Sequence, residues 1–139
     1  MISTTKVNVR YADTDQMGIV HHSVYPIWYE LARTNLSKEL GFSYKDMEKI
    51  GLMTPLVGLN CKYIHPACYD DTLDVTARIS KLTPARIEFY YEVLKNGELI
   101  NIGTTTHAFV GGKDLNIVNA KKSFPEIYFL MEKNIESIK

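Results

Sequence analysis

The chain has 139 residues, 45% of them hydrophobic, with sixteen Lys and Arg against sixteen Asp and Glu. That length and apolar content predict a single domain over residues 1–139, able to bury roughly two-thirds of its unfolded surface. The cancelled charge gives no overall field to recruit nucleic acid or an anionic membrane, and no apolar run approaches the roughly 20 residues that span a bilayer.

Met1-Ile2-Ser3-Thr4-Thr5-Lys6 lacks the apolar core of an export signal, which predicts a cytoplasmic location. Val7 to Tyr11 alternates as a first strand. From Val24 the period becomes helical: Val24, Ile27, Trp28, Leu31, Ala32, Leu36 and Leu40 recur on one stripe, with Glu30, Arg33, Thr34, Ser37 and Lys38 opposite. Ser23 is the predicted N-cap, Pro26 is tolerable in the first turn, and Gly41 ends the helix. A shorter helix spans Ser43 to Ile50, closed by Gly51.

Beyond Pro55 the pattern is β-like and half-buried: Val57, Leu59, Cys61 and Tyr63, then Leu73, Val75, Ala77 and Ile79, then Ile87, Phe89, Tyr91 and Val93. Asn96-Gly97 suits a type I′ hairpin, with a returning strand over residues 98–110, and Phe124 to Ile138 reads as a final helix. Together these predict an α+β fold in which an antiparallel sheet wraps one long helix. One sheet around one helix leaves an open edge, which a second copy can cover.

The segment from Tyr11 to Tyr25 carries the chemistry. It places carboxylates and a glycine turn at the entrance of the long helix, where the first N–H groups have no intrahelical partner. A carboxylate can act as base or nucleophile, and unpaired amides can stabilise the oxyanion formed when a carbonyl is attacked. Asp15 is the candidate carboxylate, while Asp13 is read as a structural residue bonding the turn. Cys61 and Cys68 fit neither a redox pair nor a zinc site and are read as free thiols. His21 and His22 are adjacent and lack further clear ligands, so no metal is predicted. Glu30 and Arg33 read as an exposed i, i+3 pair.

The pattern Asp-Thr-Asp-x-x-Gly-Ile-Val over residues 13–20, followed by His-x-x-Tyr at 22–25 and Tyr-Glu-Leu-Ala-Arg-Thr at 29–34, resembles the hot-dog-fold acyl-CoA thioesterases of the 4-hydroxybenzoyl-CoA thioesterase and YbgC-like type. Thr54 to Val57, Tyr69 to Leu73 and Thr106 to Val110 also resemble family segments, so the likeness runs from about Val7 to Val110. The resemblance implies Asp15 as the catalytic carboxylate, Gly18 as the glycine of the turn, and the His22 backbone N–H as the oxyanion donor. It implies a homodimer, often paired into tetramers, with active sites at the subunit interface. The substrate is then an acyl-CoA, with no cofactor besides the coenzyme A it carries. Tyr25, Trp28, Met53 and Tyr63 are candidate pocket residues. One departure is that Leu82-Thr83-Pro84-Ala85-Arg86 supplies a single arginine where members acting on hydroxybenzoyl-CoA can carry a basic run.

Two alternatives differ in class. A hot-dog dehydratase would use His22 and Glu30, and a non-catalytic acyl-CoA-binding module would keep the pocket without hydrolysis. A regulator of the second kind needs a DNA-reading element, for which this sequence offers no room.

Overall fold

The computed structural model describes residues 1–138. Strand β1 (Ser3–Asn8) leads through a single 3-10 turn (Tyr11–Asp13) to the long helix α1 (Tyr25–Leu40), followed by α2 (Tyr44–Lys49) and the short β2 (Leu52–Met53). Then come four long strands, β3 (Leu56–Tyr63), β4 (Thr72–Leu82), β5 (Arg86–Lys95) and β6 (Glu98–Ala108). The short β7 (Val110–Gly111) and β8 (Asn116–Ile117) precede α3 (Ala120–Ser123) and α4 (Pro125–Glu132). The main sheet has the order β1-β4-β5-β6-β3 and every pairing in it is antiparallel, as the strand patterns predicted.

The alternation on β4 and β5 holds throughout. Leu73, Val75, Ala77 and Ile79 are buried beside Ile87, Phe89, Tyr91 and Val93, and the register sets Val75 against Val93 and Ala77 against Tyr91. Asn96 and Gly97 both have positive φ, 51° and 79°, as the type I′ turn requires. Helix α1 packs on this apolar face so closely that a Cβ on Gly103 of β6 would lie 2.3 Å from the Tyr29 ring. Only a residue without a side chain fits there. Tyr29 stacks on Tyr91 at 4.5 Å and hydrogen-bonds the Asn101 side chain, fixing the roll of the helix over the sheet.

Several predicted boundaries move. The first strand occupies Ser3–Asn8 rather than Val7 to Tyr11, because the Asp13 carboxylate draws Arg10 to Asp13 into a turn. The strand predicted over 98–110 breaks after Ala108, where Phe109 N–H turns to the Ala85 carbonyl. The final helix, expected over Phe124 to Ile138, begins at Pro125 and ends at Glu132, with the separate short α3 before it. The buried face of α1 is Tyr25, Trp28, Tyr29, Ala32, Leu36, Ser37 and Leu40, leaving Ile27 and Leu31 exposed. The helix is rolled away from its aliphatic stripe because the polar tips of Tyr29 and Arg33 find partners under it. Strand β3 is not half-buried: Leu56, Val57, Leu59 and Tyr63 are exposed along an edge with no neighbour on its outer side. No helix among the described residues is long and apolar enough to cross a membrane.

Candidate active site

The chain entering α1 is shaped mainly by its own backbone. Asp13, 2% exposed, accepts hydrogen bonds from the Arg10 N–H at 2.8 Å and from the Arg10 guanidinium, while its carbonyl takes the His21 N–H at 2.8 Å. The guanidinium bonds hold the Asp13 carboxyl below the ordinary carboxylate range. This is the structural role its position predicted. Between these anchors the chain folds back, with Asp15 N–H on the Ile19 carbonyl at 2.9 Å and Gly18 N–H on the Asp15 carbonyl at 3.0 Å. Gly18 has φ +79°, a left-handed conformation that a side chain would strain, so its place in the turn follows from backbone geometry. Val20 N–H then pins the loop to the Ala67 carbonyl at 2.9 Å.

Asp15 is half-buried, and its Oδ1 accepts the Met17 N–H at 2.8 Å in an Asx-type turn. Its second oxygen has no hydrogen bond among the described residues. The carboxylate lines a cavity of about 340 Å³ with Met17, His22, Tyr25, Tyr63 and His65 among its other walls. The sequence-predicted Asp15, His22, Tyr25 and Tyr63 are therefore brought together. Trp28 is buried against Tyr25 at 5.0 Å and is absent from these walls, and Met53 lines a different cavity.

Helix α1 starts without a side-chain cap. Ser23, the predicted N-cap, lies one residue too early, and its hydroxyl turns back to His21 Nδ1 at 2.7 Å. The Ser23 N–H reaches the same nitrogen at 3.2 Å, and Val24 N–H takes the His21 carbonyl at 3.0 Å. The His22 carbonyl accepts the Tyr63 hydroxyl at 2.9 Å. The His22 N–H, by contrast, has no acceptor among the described residues. The His22 ring lies against His21, with centroids 4.0 Å apart and the planes tilted by 32°, and makes no hydrogen bond to Asp15. Desolvation raises the Tyr63 phenol, which keeps it a donor.

A second, larger cavity of about 560 Å³ lies beside the middle of α1, walled by Glu30, Arg33, Tyr44, Met47, Met53 and Thr54 among others. Arg33 does not pair with Glu30 there. Its Nε donates to the Tyr44 hydroxyl at 2.7 Å and its Nη1 to the Tyr91 hydroxyl at 3.0 Å, with the guanidinium carbon 5.9 Å from the Phe89 ring centre. The chain continues from Tyr91 to Thr105 Oγ1, on to His107 Nε2 at 3.0 Å, and from His107 Nδ1 to the Thr54 carbonyl at 2.9 Å. Because that carbonyl can only accept, the proton sits on Nδ1 and every bond in the chain points one way. Burial, reinforced by the positive Arg33, lowers the His107 pKa to about 4. Sequence reading missed this network, since its members come from α1, α2, β5 and β6 and share no spacing. The dehydratase pair is not assembled either, as His22 and Glu30 line separate cavities of the protomer. Among the described residues no three His, Cys, Asp or Glu gather where one ion could be held, and Cys61 and Cys68 are both free thiols.

The carboxylate, the glycine turn and the uncapped helix entrance stand in the order the resemblance implied, and residues 9–127 match the thioesterase-like superfamily. The chain belongs to that family. Over 133 residues it is 38% identical to a putative acyl-CoA thioesterase, YneP, of Bacillus subtilis, covering 95% of this chain and 96% of that protein. It is 31% identical over 105 residues to the acyl-CoA thioesterase YbgC of Haemophilus influenzae, covering 75% and 77% of the two chains. Among solved structures, a DHNA-CoA thioesterase from Staphylococcus aureus superposes with a TM-score of 0.90 at 32% identity, covering 95% of this chain and 89% of that one. This thioesterase thus has the hot-dog fold, with α1 as the helix that the sheet wraps. Its enzyme class is thioester hydrolase.

Proposed function

We propose that the protein hydrolyses an acyl-CoA thioester to the free carboxylic acid and coenzyme A in the cavity lined by Asp15 and His22. The observation that carries this reading is that Asp15, with an unbonded carboxylate oxygen, and His22, whose main-chain N–H has no acceptor among the described residues, line the same cavity. The thioester carbonyl oxygen sits on the His22 N–H, which stabilises the negative charge that develops there on attack. Asp15 takes a proton from water as the water oxygen bonds to the carbonyl carbon, or attacks that carbon itself to give a transient anhydride. In either route the C–S bond breaks, the thiolate leaves, and one water is consumed per thioester. A thiolate is a good leaving group, so no strong acid is required. The reaction uses no metal or cofactor beyond the coenzyme A of the substrate.

The proposed unit is a homodimer built on β3, whose outer edge is unpaired and carries exposed Leu56, Val57, Leu59 and Tyr63. A second copy pairing antiparallel across a two-fold axis continues the sheet. It also sets the Tyr63 end of one β3 beside the Leu56 end of the other. The Asp15 cavity of one protomer then adjoins the larger cavity of its partner, rimmed by Met53 to Pro55, and gives the acyl group an apolar destination.

Thiol release from short, medium, long and aromatic acyl-CoAs, with light scattering to give the mass in solution, tests both statements. The aromatic arm includes a hydroxynaphthoyl thioester because the S. aureus neighbour is a DHNA-CoA thioesterase. Turnover of at least one class by a particle of twice the chain mass, or four times it for paired dimers, is the expected result. Saturable binding without thiol release would replace the hydrolase reading with the binding module, and a monomer would overturn the interface.

A further inference from the structure

The His22 N–H is useful only if its direction is fixed, and that direction is set by the two peptide planes that meet at His22. The upstream plane carries the His22 N–H itself and the His21 carbonyl, which the Val24 N–H holds at 3.0 Å. The downstream plane carries the His22 carbonyl and the Ser23 N–H. One end of it is held by His21 Nδ1 at 3.2 Å and the other by the Tyr63 hydroxyl at 2.9 Å. The main-chain polar groups of these two planes are therefore tied down except the His22 N–H itself, which has no acceptor among the described residues.

Two of those ties are local, within residues 21–24. The Tyr63 hydroxyl is different in kind, as it comes from β3, 41 residues away in the chain, and is the side-chain hydrogen bond that connects this turn to the sheet. Its ring packs edge-on against Tyr25, the first residue of α1, at 5.3 Å.

We propose that Tyr63 is a positioning residue for the oxyanion site: by donating its hydroxyl to the His22 carbonyl it holds the His22 N–H on the thioester carbonyl. This rests on the thioesterase reading above. The geometry also places the tie on the strand proposed to meet the partner, so the alignment of the donor is wired to the sheet edge.

Tyr63→Phe removes the hydroxyl and keeps the ring. The expected result is a fall in kcat of about 10- to 100-fold, less than the loss of a whole oxyanion donor, with KM within about twofold and the oligomeric mass unchanged. Tyr90→Phe, on the opposite face of the sheet, serves as a control and keeps full activity. A second readout uses Asp15→Asn protein loaded with an acyl-CoA carrying a ¹³C-labelled carbonyl. Its stretching frequency shifts down on binding, and adding Tyr63→Phe returns it towards the solution value. Unchanged kcat, an effect confined to KM, loss of the dimer or of folding in Tyr63→Phe, or an unmoved carbonyl frequency each overturns the positioning role while leaving the thioesterase reading in place. A wild-type protein that neither binds nor hydrolyses any thioester overturns the functional reading itself, and this inference with it.

Discussion

The two cavities along α1 are built in opposite ways. The one at the helix entrance is walled on one side by a continuous stretch, Asp15 to Tyr25, whose shape comes from main-chain hydrogen bonds, a glycine at φ +79° and a carboxylate folded onto the next turn, and on the other by Tyr63 to Pro66. The one beside the middle of the helix is walled by residues from several elements, and two of them, Arg33 and Thr54, are the ends of the chain that runs beneath it through Tyr91, Thr105 and His107. A site assembled from backbone can present unpaired donors and a half-exposed carboxylate at little cost, because the loop closes on itself. A network assembled from buried side chains must satisfy its members, since each lost partner leaves a desolvated polar group. The first cavity is therefore where reactivity is expected, and the second is where polar groups hold the fold together.

The contrast is broken most sharply at Asp15. Asp15→Asn retains an oxygen to accept the Met17 N–H and so keeps the turn, but loses the basic and nucleophilic carboxylate. A fall in kcat of at least about 100- to 1000-fold is expected, comparable with removing an oxyanion donor, with little change in melting temperature. An Asp15→Asn protein that melts much lower, or retains wild-type turnover, would show that the loop's carboxylate is structural after all.

At Gly103 the expectation is reversed. A methyl group there meets the Tyr29 ring at 2.3 Å, so the ring must leave its stack on Tyr91 and its bond to Asn101. Gly103→Ala should lose about 3 kcal/mol of stability, read as a lower denaturant midpoint at unchanged slope. Folded enzyme below its melting temperature should keep turning over, because the Asp15 loop is tied to Ala67 and Tyr63 rather than to Gly103.

The same division decides what the sequence disclosed. The placing of Asp15, Gly18 and His22 at the helix entrance was legible because that turn is encoded by neighbours in the chain, and the alternation on β4 and β5 was legible because both strands are covered on one face from end to end. The roll of α1 was not, since Tyr29 and Arg33 look like interruptions of an aliphatic stripe until Asn101 and Tyr91 are placed beneath them. Strand β3 misled for another reason. Its Val57 and Leu59 carry the pattern of a buried face, yet nothing within the protomer covers them. Tyr63 was legible as a pocket residue, but its bond to the His22 carbonyl required the strand and the helix entrance to be seen together.

Acid tests the side-chain network alone. The folded-state pKa of His107, about 4, lies below the ordinary value of about 6.5, so between those values the unfolded chain binds a proton that the native one refuses. Stability conferred by the neutral ring is fully present above pH 6.5 and is lost as the pH falls towards 4. The loss amounts to at most about 3 kcal/mol for a shift of that size. The Asp13 carboxyl, held low by Arg10, contributes stability that is lost mainly at lower pH, as the pH falls through and below the ordinary carboxylate range. Melting temperature measured from pH 7 to 4 should fall for the wild type and fall less steeply for His107→Gln. Identical slopes for the two proteins would remove His107 as the source.

The smallest effect separates the wall of the larger cavity from its floor. Helix α2, which contributes Tyr44, Met47 and Glu48 to that wall, begins with a capping box in which Ser43 Oγ accepts the Asp46 N–H at 3.0 Å and Asp46 Oδ2 accepts the Ser43 N–H at 2.9 Å. Unlike the Arg33 network, this device is written in neighbouring residues, although only the helix itself was read from the sequence. Ser43→Ala should cost about 1 kcal/mol, the usual loss at an N-cap. Tyr44 is also held from the other side, where Arg33 Nε reaches its hydroxyl at 2.7 Å, so the helix should stay docked and the cavity keep its shape. Combining Ser43→Ala with Tyr44→Phe tests that statement. If cap and docking bond act on the same segment, the double variant loses more than the sum of the single losses. Strict additivity would mean that α2 is held by its apolar contacts, Met47 foremost, and that the polar network stops at the sheet.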